Sequence, residues 1–188
     1  MSDDSRTLSD ARTLRALSHP VRLALLEALL SGPLTATEAG EVIGESATTC
    51  SFHLRQLARY DFVEEAGGGR GRARPWRLTH TGWTAPPQPD NPEFTRAVQA
   101  LDQVLLDRLV ARMRRYVEAA PTYPAEWQAA ALGHTSLLHV TAAEAAEMAA
   151  AYREVATRFR DRWATRHENP PEGTLPVEVF VGVYPIDR

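Results

Sequence analysis

For most of its length this chain repeats apolar residues every three to four positions, the period of an amphipathic helix; only a few short runs alternate with period two. Leu14 and Leu17 mark the buried side of a first helix, with Ser9 or Asp10 as its N-cap, and residues 1–8 ahead of it are expected to fray. Ser18-His19-Pro20 interrupts the pattern. Pro20 then suits the first position of a second helix, where its missing N–H is no loss. This helix, 21–30, carries Val21, Leu23, Leu25, Leu26, Leu29 and Leu30 nearly all round, so it is predicted to lie in the core until Ser31-Gly32-Pro33 ends it. His19 reads as a structural residue at a helix start.

The next stretch predicts two helices joined by a tight turn. Thr35-Ala36-Thr37-Glu38 has capping-box spacing, and Ala39, Val42 and Ile43 follow as a short apolar face. Gly44 stands where the helix must stop, because only glycine enters the left-handed conformation without a Cβ penalty. Ser46 caps a second helix whose inner face is Cys50, Leu54 and Leu57. Its outer face is assigned Thr48, Thr49, Ser51, His53, Arg55, Gln56 and Arg59. Residues 61–65 then predict a short strand, Ala66-Gly67-Gly68-Gly69-Arg70-Gly71 a turn, and residues 72–78 a second strand, with Pro75 at an edge. Helix, Gly turn, helix and Gly-tipped hairpin make the order of a winged helix-turn-helix. The hairpin carries Arg70, Arg72, Arg74 and Arg77 with no acid between Ala66 and Thr81, which suits phosphate or minor-groove contact.

Residues 11–80 resemble the winged helix-turn-helix domain of the ArsR-type bacterial repressors. The resemblance rests on Ala16-Leu17-Ser18-His19-Pro20-Val21-Arg22-Leu23-Ala24-Leu25-Leu26, on Ser51-Phe52-His53-Leu54-Arg55-Gln56-Leu57, and on the Gly/Arg hairpin ending in Pro75-Trp76-Arg77-Leu78-Thr79. It implies a homodimeric transcription factor that reads double-stranded DNA with the helix from Ser46 to Arg59. Thr48, Thr49 and His53 are then expected at base edges; Arg55 and Gln56 have the chemistry for guanine and adenine, but Arg55 is placed with Arg59 on phosphates, and Arg70, Arg72 and Arg74 on phosphates or in the minor groove. The resemblance also raises metal sensing. However, the segment matching the family's Cys-x-Cys site, 36–43, has neither Cys nor His, and Asp102 and Asp107 have no His near them; no metal and no cofactor is expected.

Beyond His80, Pro86, Pro87, Pro89 and Pro92 forbid a regular element, so 81–92 reads as a linker between a DNA-binding domain, 1–80, and a second region, 93–188. That region opens with a long amphipathic helix, about 93–119, whose stripe runs through Phe94, Val98, Leu101, Leu105, Leu109, Met113 and Tyr116. Leu101, Leu105 and Leu109 are the residues expected in a two-fold interface. A short helix near 126–132, a strand at 136–140, a Thr141–Glu144 capping box opening a helix to about 167, and an alternating strand through Val177, Val179, Val181 and Val183 follow. The expected fold class is therefore mostly α with small β (α+β): a winged helix-turn-helix domain, then a helical dimerisation region with a small antiparallel sheet.

Composition changes this picture little. Across 188 residues the formal net charge is −3, which does not advertise nucleic-acid binding. Its distribution does: residues 46–80 hold six arginines against three acids, and residues 1–45 four against seven. The lone Cys50 excludes an intrachain disulfide framework and fits a reducing cytoplasm; no apolar run is long enough to span a membrane. No Gly-x-Ser-x-Gly, phosphate-binding loop or His-Glu-x-x-His appears, so no catalytic residue is assigned and an enzyme is not expected. The expected function is a sequence-specific, homodimeric DNA-binding regulator, most simply a repressor, located in the cytoplasm. A small-molecule effector, lodged between the long helix and the Trp127 and Trp163 segments, is left open. The alternative is a winged-helix module that binds a protein and reads no DNA.

Overall fold

The computed structural model describes residues 5–67, 74–80, 82–163 and 171–186. Two compact units emerge, Met1–Tyr123 and Pro124–Arg188. In the first, β1 (Ser5–Thr7) precedes α1 (Ala11–Leu17), α2 (Pro20–Leu29), α3 (Ala36–Ile43) and α4 (Ala47–Ala58); β2 (Val63–Glu65), β3 (Trp76–Leu78), β4 (Gly82–Thr84) and α5 (Pro92–Ala119) follow. Mostly helical with small sheets, the fold is of the expected class. β2 and β3 pair antiparallel with Glu64 opposite Arg77, and Leu34 and Trp76 exchange backbone hydrogen bonds of 3.0 and 2.8 Å that tie the α2–α3 loop to the hairpin.

Local chemistry sets the helix ends. The Asp10 carboxylate accepts from the Thr13 amide, His19 Nδ1 accepts from the Val21 amide ahead of Pro20, and Thr35 and Glu38 form the complete capping box. Gly44 is left-handed, with φ 76°, and Ser46 Oγ accepts from the Thr49 amide to start α4. A second glycine matters more than the sequence suggests. A Cβ on Gly40 would lie 2.5 Å from the Glu45 carbonyl oxygen and 3.6 Å from Cys50 Sγ. Only a bare Cα lets α3 approach the turn into α4. Gly40→Ala is expected to destabilise the first unit by roughly 1–3 kcal/mol, the usual cost of overpacking; a melting temperature equal to that of the parent would show that the turn can yield.

Three expectations about this unit are corrected. Residues 5–8 do not fray: β1 pairs parallel with β4, the Leu8 amide donates to the Thr84 carbonyl at 2.8 Å, and Leu8 is buried. The described part of the expected linker, 82–92, is packed rather than free, because β4 and the bond from Gln88 Nε2 to the Ser9 carbonyl hold it against the N-terminus. The compact unit ends at Tyr123 instead. The prolines forbid helix in the segment but not a three-residue strand ahead of them.

Leu101, Leu105 and Leu109 are not a free interface. α5 lays its inner face on α1, burying Phe94, Ala97 and Leu101 in the same core as Leu14, Leu17, Leu54 and Leu57. Leu109 is also buried and Leu105 is half-buried. Polar contacts hold this helix as well. Arg108 and Arg112 both pair with Glu27 of α2, and Arg108 also donates to the Pro20 carbonyl at 3.2 Å.

The second unit contains α6 (Ala125–Ala130) and α7 (Ala142–Trp163), the latter opened by the Thr141–Glu144 capping box. The expected C-terminal sheet is not formed: residues 136–140 and 175–184 make no strand. Alternating valines suit a strand, but a strand is stable only with a ladder partner, and none of the described residues supplies one. None of the described residues of this unit is buried.

Candidate nucleic-acid interface

Helix α4 is held from behind and open in front. Cys50, Leu54 and Leu57 are fully buried, so the rotation of the helix about its axis is fixed by the core. Thr48, Phe52, Arg55 and Arg59 are exposed, spaced four, three and four apart, and form the centre of the outer face. Thr49, Ser51 and Gln56 flank it and are half-buried. The helix carries no acidic residue.

Two assignments change. His53 does not face outward; it is 8 % exposed and sits one residue before Leu54 on the inner face. At 100° per residue Leu57, Cys50 and Leu54 lie within about 60° of one another, and His53 falls about 40° beyond Leu57, on the border of the same face. Conversely Phe52, absent from the polar set, lies in the middle of the outer face and is 56 % exposed. Helical spacing from Thr48 was the available signal; sorting by polarity hid it.

Several outer hydroxyls are already engaged. Ser46 Oγ and Thr49 Oγ1 lie 2.8 Å apart, and Arg55 Nη2 donates to Ser51 Oγ at 2.7 Å, which orients the guanidinium one turn along the helix. Behind this face the His53 ring meets Phe52 edge-on, with centroids 5.1 Å apart, and His19 at 4.5 Å. His53 Nδ1 and Arg22 Nε are buried and make no hydrogen bond within the described chain. Burial pushes the His53 imidazole below its usual range; His19 and Arg22 add to this and Glu45 opposes it. His19 is lowered in the same way, first by burial and then by Arg22, again against Glu45. Burial also raises the Cys50 thiol, which keeps it a packing group rather than a nucleophile.

At the base of the hairpin, Arg74 Nη1 reaches both carboxylate oxygens of Glu65 at 3.0 Å, and Arg77 pairs with Glu64 across the strands. Both pairs are exposed and contribute about 1 kcal/mol or less, so a phosphate can compete for either arginine. Arg70 and Arg72 lie outside the described residues. Among those described, no helix is long and apolar enough to cross a membrane.

Residues 17–66 match the helix-turn-helix domain family. Over 68 residues the chain is 37% identical to the HTH-type transcriptional regulator NmtR of Mycobacterium tuberculosis, a stretch covering 36% of this chain and 57% of that one. Among solved structures, reduced HlyU from Vibrio cholerae is 23% identical, with a TM-score of 0.33 over 51% of this chain and 82% of the other. The homodimeric winged helix-turn-helix DNA-binding domain (fragment 1–100) of a Mycobacterium bovis protein, described as a possible ArsR-family transcriptional regulator, is 22% identical, with a TM-score of 0.33 over 56% and 81%. With α3, the Gly44 turn, α4 and the β2–β3 hairpin in order, the segment that matches the helix-turn-helix domain family has the architecture of a winged helix-turn-helix.

Proposed function

We propose that this protein is a homodimeric, sequence-specific regulator that binds double-stranded DNA and represses transcription. One observation carries the reading: α4 presents an acid-free outer face of Thr48, Phe52, Arg55 and Arg59 on a helix locked by its buried side, with a hairpin directly after it. The two arms of such a reader divide the work. The first half of α4 enters the major groove, Arg55 and Arg59 neutralise phosphates, and Arg70, Arg72 and Arg74 grip the backbone beside it.

The dimer uses the outer side of α5. Leu106, Val110, Met113 and Val117 recur at four, three and four, the spacing of a coiled-coil seam, and are 49, 37, 55 and 69 % exposed. A small effector has a place within the first unit, in a cavity of about 300 Å³ lined mainly by Leu26, Leu30, Phe62, Leu78, Trp83 and Leu105, where it would touch both the hairpin base and α5.

A duplex taken from upstream of the protein's own gene should be retained at 50 mM salt and bind roughly 10³-fold more weakly at 200 mM, the response of about six neutralised phosphates. The Arg70→Ala/Arg72→Ala/Arg74→Ala variant should flatten the salt slope by roughly 0.9 per lost phosphate contact on every sequence alike. A module for protein partners would retain no duplex at either salt, and that result would end the DNA-binding reading.

A further inference from the structure

We infer that Phe52 reads thymine, by packing its ring on the C5-methyl group in the major groove, so that each half-site carries a T·A pair opposite the middle of α4. The inference rests on the DNA-binding reading above and names what that site prefers.

Four observations converge on it. Phe52 is the sixth residue of α4, in the half of a recognition helix that meets base edges, and it is central on the outer face. Its ring stands at 77° to the buried His53 ring, with centroids 5.1 Å apart, and His53 is in turn backed by His19. The neighbouring polar groups are committed elsewhere: Thr49 Oγ1 to Ser46, and Ser51 Oγ to Arg55. Besides the Thr48 hydroxyl, what the first half of α4 exposes is therefore apolar: the methyl groups of Ala47 and Thr48 and the Phe52 ring. In the major groove the feature that an apolar group can recognise is the thymine methyl; the other base edges offer donors and acceptors that phenyl cannot answer. Facing any of those, the ring would strip water from a polar edge and give no bond back, which selects against the wrong base as well as for thymine.

The test begins with operators selected by the parent protein from random duplexes. Each half-site thymine is then replaced in turn by deoxyuridine, which removes the methyl group and nothing else. At one position the parent should bind about four-fold more weakly per half-site, the worth of one buried methyl. At that position 5-methylcytosine opposite guanine should be preferred to unmethylated cytosine. Phe52→Ala should bind thymine and deoxyuridine operators alike, whereas Phe52→Leu, which keeps an apolar group, should retain part of the discrimination. Melting curves establish that both variants fold. Selected half-sites without a thymine, or a parent protein indifferent to deoxyuridine at every position, would overturn the inference while leaving DNA binding intact. Failure to retain any duplex at low salt would instead remove the reading on which it rests.

Discussion

Leu106→Asp and Met113→Asp are each expected to turn the protein into a monomer and to weaken operator binding by roughly 10²–10⁴-fold, the avidity lost when two linked sites become one. Both side chains stand on the outer side of α5, in the same stripe as Val110 and Val117. A charge there would meet its symmetry mate and other apolar groups in a two-fold interface, with nothing to pair with. It would cost the separate protomer little, because the site is exposed when α5 is alone. Leu101→Asp supplies the contrast: it puts the charge into the core shared by α1 and α5 and is expected to unfold the unit. Sedimentation velocity reads the mass, thermal melting reads the fold, and anisotropy on a labelled operator reads affinity. A Leu106→Asp protein that still sediments as a dimer and binds normally would move the two-fold away from this stripe.

Acidification should destabilise the domain through the paired imidazoles behind α4. His19 and His53 both have folded-state pKa values below the ordinary histidine value: burial comes first at each, followed by the Arg22 charge at His19 and by His19 and then Arg22 at His53, while Glu45 opposes the shift at both. The unfolded chain therefore takes up protons before the folded chain does. Stability is complete above about pH 6.5 and falls as pH drops from there toward the lowered folded values, by at most about 1.4 kcal/mol per pH unit for each histidine. Melting between pH 7.5 and 5 should show a loss of several degrees. His19→Asn keeps an N-cap for α2 and removes one titration, and His53→Leu removes the other along with the unbonded buried nitrogen. The double variant should melt almost independently of pH in this window. If it loses as much as the parent, carboxylates elsewhere carry the acid sensitivity. Because α4 bears His53 and α2 bears His19 at its cap, the same charging should loosen the reading helix before the rest of the core.

The sequence by itself determined what depends on near neighbours along the chain. The capping box at Thr35, the left-handed Gly44, the Ser46 cap, Pro20 at a helix start and the Cys50, Leu54 and Leu57 face all follow from rules reaching four residues or fewer, and all stand in the structure. The helix-turn-helix order and the hairpin were legible for the same reason. Tertiary structure decided what depends on which distant surface a residue meets. The stripe on α5 looked single, but α1 covers only part of the helix circumference, so Leu101 and Leu109 went inward and Leu106 and Met113 stayed out. His53, expected on the outer face, lies inward, where it meets the ring of His19, thirty-odd residues away in sequence. β1 and β4 are each three residues long and gain strand geometry only from one another, and Gly40 is needed only because the Glu45 carbonyl folds back over it. The valines from 177 to 183 show the limit from the other side: alternation marks a segment fit for a sheet, but a ladder needs a second strand, and pairing is a property of two segments rather than of one.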